Sequence, residues 1–201
     1  MPKLFDIHSH LNDKLFDKDI SEVISRMEEQ NVWTITVGTD KKMSWRACEI
    51  AQMGKGLFAS VGMHPTDNAD DKFDVDFFEG LALGNDKVVA IGECGLEYFR
   101  IPAEKEAAEK KKQKQLFEDQ IELAVTLDKP LMIHCRDAHD DVMDILRSKK
   151  REYGDVLRGD IHFFSGDVEM AKKYFDIDFT ISFTGVITFA SQYDDVIAYA
   201  P

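Results

Sequence analysis

The chain has 201 residues, 44 % of them apolar, a length that suits one domain with a sizeable core and argues against two. Its 25 basic and 38 acidic residues give a net charge of -13, which excludes a broad cationic footprint for backbone phosphates; any nucleic-acid contact must be local or carried by bound cations. No run approaches the ~18 apolar residues of a membrane span, no signal-peptide pattern opens MPKLFDIHSH, and the odd cysteine count (Cys48, Cys94, Cys135) points to a reducing compartment, so a cytoplasmic protein with no membrane partner is expected.

In chain order, a first buried strand is expected over Leu4 to His8, then a helix over Ile20 to Gln30, a strand over Trp33 to Gly38 and a helix over Met43 to Met53. Strands follow over Leu57 to Met63 and Val88 to Gly92. The stretch Ala103 to Lys114 is almost wholly charged or small and reads as a solvated helix start, with a local phosphate-attracting patch of Lys110, Lys111, Lys112 and Lys114 as the alternative. Helical spacing continues over Gln115 to Leu127, before a strand over Pro130 to His134 and a helix over Val142 to Lys149. A strand over Asp160 to Phe164, a helix over Val168 to Phe175 and a strand over Phe179 to Phe183 come next, and a short helical pattern from near Gln192 ends the sequence.

Strands alternating with helices imply parallel pairing with helical crossovers, either in an open doubly wound sheet or in a closed barrel. The polar residues decide between them. His8, His10, His64, Glu93, His134 and His162 all fall at C-terminal strand ends, where barrels carry their chemistry, and no glycine-rich phosphate turn marks a switch point. The expected fold is therefore an α/β chain of TIM-type (β/α) barrel architecture, a single domain over residues 1–201, with seven strands visible and the eighth missing. Its two edges would stay unpaired unless a partner chain closes the gap, or the sequence is a fragment or truncated product.

The strongest local signal is Asp6-Ile7-His8-Ser9-His10. Alternation along a strand places both imidazoles on one face with Asp6 below them, a chelate for a divalent metal with a carboxylate to orient it. Glu93, His134 and His162 arrive on further strand ends, and a carboxylate in an apolar strand end needs a cationic partner. With Glu93 bridging two ions, His8 and His10 are expected to serve one, and His134 and His162 the other, in a two-metal site suited to phosphodiester hydrolysis. Cys94 and Cys135 should point to the outer helices, His139 should cap a helix or lie at the surface, and His64 should contact substrate phosphate or support the ligands.

FDIHSHL, VGMHP, IGECGLEYF, PLMIHCRDA and HFFSG occur in the order and approximate spacing of the TatD family of metal-dependent DNases, and the chain resembles that family over essentially its whole length. The resemblance implies a barrel hydrolase with two divalent ions (Mg, Mn or Zn) that cuts DNA, single-stranded or at 3' ends, in a 3'-5' exonuclease manner. It implies metal ligation by His8, His10, Glu93, His134 and His162, with Glu93 catalytic, and substrate contacts by His64, Tyr98 and Arg136. There are two departures. Glu97 stands where the family usually has aspartate, and nothing after Phe183 matches the ETDAP-like motif whose aspartate completes the first metal position; Asp194 and Asp195 are poor substitutes. The competing readings are an amidohydrolase acting on amide, lactone or phosphotriester bonds, disfavoured by Glu93 in place of a modified lysine, and a truncated, non-catalytic metal-binding protein.

Overall fold

In the computed structural model, which describes residues 1–66 and 72–201, seven strands form one parallel sheet in sequence order. They are β1 (Leu4–Ser9), β2 (Val32–Val37), β3 (Leu57–Val61), β4 (Val88–Glu97), β5 (Leu131–Arg136), β6 (Gly159–His162) and β7 (Phe179–Ile181). The crossovers carry α1 (Ile20–Glu29), α2 (Lys41–Ala51), α3 (Val75–Gly84), α4 (Glu106–Thr126), α5 (His139–Tyr153) and α6 (Val168–Phe175), and α7 (Asp194–Tyr199) follows β7. Every neighbouring pair is parallel, and β1 and β7 are the two edges, so the sheet is a barrel wall that does not meet itself. Leu4 (62 % exposed) and Phe5 (47 % exposed) show how bare the β1 edge is.

Two hydrophobic layers hold the sheet. On the outer face Val61, Ile91, Leu96, Ile133 and Ile161 pack under Ala47, Phe78, Phe117, Leu146 and Tyr174 of the helices. On the inner face Ile7, Ile35, Phe58, Val89 and Met132 form a smaller cluster lining an apolar cavity of about 560 Å³. The helix starts follow local chemistry: Asp40, Asp74 and Asp167 each accept a backbone N–H three residues on, closing the first turns of α2, α3 and α6. Helix α3 has no counterpart among the helices expected from spacing. Its sequence VDFFEGLALG carries two glycines and few polar positions, so no apolar stripe stands out, and it is fixed by burial of Phe78 and Ala82.

Two irregularities aim the chemistry. In β4, Ile91 pairs with Leu131 and Cys94 with Ile133, so Gly92 and Glu93 together oppose the single residue Met132. Gly92 (φ 134°) and Gly95 (φ 125°) permit this, since a Cβ would lie 2.3 Å from the Met132 carbonyl oxygen at one and collide with that of His134 at the other. In β1, Asp6 pairs with Thr34 and Ser9 with Thr36, leaving Ile7 and His8 opposite Ile35. Ile7 therefore keeps an inward side chain while the strand end beyond it turns its imidazoles toward Glu93.

Candidate metal centre

The buried Glu93 side chain sits at the centre of four imidazoles. Its Oε2 faces His8 Nε2 at 3.5 Å and His10 Nε2 at 3.9 Å, while Oε1 faces His134 Nδ1 at 3.2 Å and His64 Nε2 at 3.8 Å. Burial alone would raise its pKa, but the hydrogen bonds and charges of His134 and His8 outweigh it and hold the carboxyl well below the carboxylate range. His162 stacks on His8 with ring centroids 3.3 Å apart, and burial together with His8 pulls its pKa down to about 3, so the ring is neutral, the form that ligates metal. Burial, then His8, also lowers His10.

Two groups have all their donor atoms within 4.8 Å of one another: His8, Glu93 and His162, and His64, Glu93 and His134. The five residues expected as ligands do converge, but the grouping differs from the expected one. His162 lies beside His8 rather than His134, because in a curled sheet the first and sixth strand ends approach across the gap. His64 joins His134 as a member of the cluster. Mixed imidazole and carboxylate donors around one ionised, buried glutamate fit a divalent cation in each group.

His134 is held at both ring nitrogens. Nδ1 turns to Glu93, and Nε2 lies 2.9 Å from Glu97 Oε2; burial lowers its pKa, yet the two carboxylates prevail and raise it. Glu97 in turn accepts the Phe99 backbone N–H on Oε1 at 2.9 Å. This is the carboxylate–histidine arrangement that fixes a ligand's tautomer and orientation. Sequence reasoning noted Glu97 only as a departure from a pattern. The available signal was its spacing of four from Glu93 on a strand, which keeps both on one face.

Two buried glutamines of α4 complete the support. Gln113 Oε1 accepts from the Glu97 N–H at 2.8 Å and its Nε2 donates to the Glu97 carbonyl at 3.0 Å. Gln120 does the same for Met63, at 2.8 and 2.9 Å, one residue before His64.

The other expected residues are placed as follows. Asp6 is exposed, and its Oδ1 accepts the His8 backbone N–H at 3.0 Å instead of bonding an imidazole. Arg136 is exposed and lines, with His10, His64, Glu93, His134 and His162, a cavity of about 780 Å³. Tyr98 donates to Asp141 at 2.8 Å. His139 is drawn inward, its Nδ1 3.3 Å from Cys135 Sγ and 3.0 Å from Tyr174 Oη. Cys94 and Cys135 are buried in the outer layer as expected, and Asp194 and Asp195 lie exposed at the start of α7. Of the four lysines in the basic stretch, Lys110 pairs with Glu106 and Lys114 with Asp141, which offsets the patch they could form.

The family model for TatD related DNase matches residues 5–201. The chain belongs to this family. The TatD chain is 38 % identical to the uncharacterized metal-dependent hydrolase YabD of Bacillus subtilis over 92 % of its own length and 70 % of the relative's. It is 33 % identical to the uncharacterized metal-dependent hydrolase YcfH of Escherichia coli, over 98 % of its length and 73 % of that protein's. Among solved structures, the TatD homologue YjjV of Escherichia coli superposes with a TM-score of 0.84 at 27 % identity, covering 98 % of this chain and 75 % of that one. As a TatD member the chain is a metal-dependent hydrolase. No helix among the described residues is long and apolar enough to cross a membrane.

Proposed function

We propose that this TatD hydrolase is a deoxyribonuclease that cleaves DNA phosphodiester bonds, working on single strands or 3' ends in the 3'-5' direction with two divalent cations (Mg, Mn or Zn). The observation that carries the reading is the division of Glu93: each carboxylate oxygen faces its own set of imidazoles, as a bridging ligand requires. His8, His10 and His162 would hold one cation and His64 and His134 the other, with Glu93 shared. When bound, the cations supply Lewis-acid activation of water and neutralise charge on the phosphodiester.

The chain's own groups do the rest. Glu93 stays ionised and is the single carboxylate of both groups, so a centre holding two divalent cations keeps a net positive charge that suits an anionic phosphodiester. Arg136, which lines the same cavity, offers a planar pair of donors to a phosphate of the bound strand. Glu97 and the α4 glutamines keep His134 and His64 aimed without reorganisation.

The test is release of nucleotides from a labelled single-stranded oligonucleotide with Mn2+ or Mg2+, beside a Glu93→Gln variant. Wild type should release nucleotides from the 3' end and the variant should lose on the order of 10³ in kcat. No release with Mn2+, Mg2+ or, in a further assay, Zn2+, or full activity in the variant, overturns the proposal.

A further inference from the structure

Beyond the metal centre, the tip of β4 carries an arrangement with no role in ligation. Phe99, half-buried, has two guanidinium groups against its ring: the Arg136 Cζ is 3.8 Å from the ring centroid and the Arg100 Cζ 4.5 Å. Both arginines are exposed. Among the described residues neither forms an ion pair with a carboxylate, although the chain holds 38 acidic residues and the nearby Lys110 and Lys114 are both paired, at 2.7 and 2.8 Å. Asp13 and Asp137 line the same cavity as Arg136 and leave it unpaired too. A guanidinium stacked by its face keeps its N–H edge free, and the edge is what grips a phosphate.

The platform is also fixed relative to the centre. The Phe99 N–H bonds Glu97 Oε1, and the other oxygen of that carboxylate bonds His134. Arg100 is a non-glycine residue in the left-handed region at φ 64°, a backbone state that persists where the surroundings impose it and that clusters at ligand clamps. With two guanidinium groups within 4.5 Å of its ring centroid, the part of Phe99 is to hold cations rather than to stack a base.

We infer that Arg100, Phe99 and Arg136 form a phosphate clamp for the sugar–phosphate backbone of a single-stranded nucleic acid, holding a phosphate that neighbours the one being hydrolysed. The inference rests on the nuclease reading and specifies where the strand runs: from Glu93 past His134 and out over the tip of β4. In a chain of net charge -13 such a clamp supplies a local grip where a general field cannot. It reads no sequence, because phosphate contacts position a strand without distinguishing bases.

The experiment compares wild type with Arg100→Ala and Arg100→Gly in Mn2+, on single-stranded 12-nucleotide substrates of several sequences and on bis(4-nitrophenyl) phosphate, which has one phosphate only. Glycine suits the left-handed backbone and separates loss of the cation from loss of the fold at this turn. On the oligonucleotides both variants should raise KM about ten-fold, equally for every sequence, with kcat within about two-fold. The slope of log(kcat/KM) against log[salt] should become shallower by about 0.7. On the single phosphodiester the change in KM should be several-fold smaller than on the oligonucleotides. An unchanged KM and salt slope on oligonucleotides cut normally by wild type overturns the clamp alone. If wild type hydrolyses bis(4-nitrophenyl) phosphate but no oligonucleotide, the nucleic-acid reading itself falls, and the clamp with it.

Discussion

The side chain that links the metal centre to its surroundings is Glu97. It is nearly as buried as Glu93, it bonds His134 Nε2 at 2.9 Å, and it is itself held by Gln113 through its backbone. Supporting carboxylates of this kind are commonly worth 10- to 100-fold in metal affinity. Glu97→Ala should therefore weaken Mn2+ binding by about 10- to 100-fold, seen by calorimetric titration of the metal-free chain. Unchanged binding would mean that packing alone aims His134. The convergence of these side chains was legible because a histidine or glutamate that ends an apolar strand is chemically out of place. Its grouping was not, because sequence order pairs His134 with His162 while the curl of the sheet brings His162 onto His8. Simple alternation also misplaced Asp6, since the bulge at Ile7 and His8 breaks the period on which that reading depends.

At the level of elements, helix α4 does more than cross from β4 to β5. Gln113 and Gln120 are seven residues apart, hence on one face, and they sit within a stripe that otherwise buries Leu116, Phe117, Ile121 and Ala124. Each makes a two-point amide pairing with the backbone of a strand end, one at Glu97 and the other at Met63. Gln120→Leu keeps the bulk but leaves the Met63 N–H and C=O buried without those partners. It should destabilise the fold by about 2–6 kcal/mol in urea unfolding, at about 1–3 kcal/mol for each of the two orphaned groups. A loss below about 0.5 kcal/mol would mean that solvent or a shifted main chain replaces the clamp. The elements with a clear three-and-four apolar repeat, α1, α2, α5 and α6, were readable from spacing. Strand β4 runs on to Glu97, five residues beyond its expected end at Gly92, because the two positive-φ glycines let pairing with β5 continue where composition signals a stop.

Over the whole molecule, the sheet is open between β1 and β7, yet the candidate ligands straddle that opening. His8 stands on β1 and His162 ends β6, and their stacked rings meet without any β1–β7 ladder beside them. A cation shared by His8, Glu93 and His162 would thus tie the first strand to the fourth and sixth, and one shared by His64, Glu93 and His134 would tie the end of the third strand to the fourth and fifth. An unfolded chain holds no such preformed set, so the metal's binding free energy adds to folding. At a free concentration of 100 times Kd one such site contributes about 2.7 kcal/mol, which for a domain of this size corresponds to a rise in Tm of about 5–11 °C. The thermal midpoint in Mn2+ should therefore exceed that in excess chelator by at least this amount. His162→Ala should remove much of the increment, and Glu93→Gln nearly all of it, because only Glu93 belongs to both groups. If calorimetry shows Mn2+ bound while the midpoint does not move, the ion sits somewhere other than across these strands, and the bridging geometry around Glu93 is not where the metal binds.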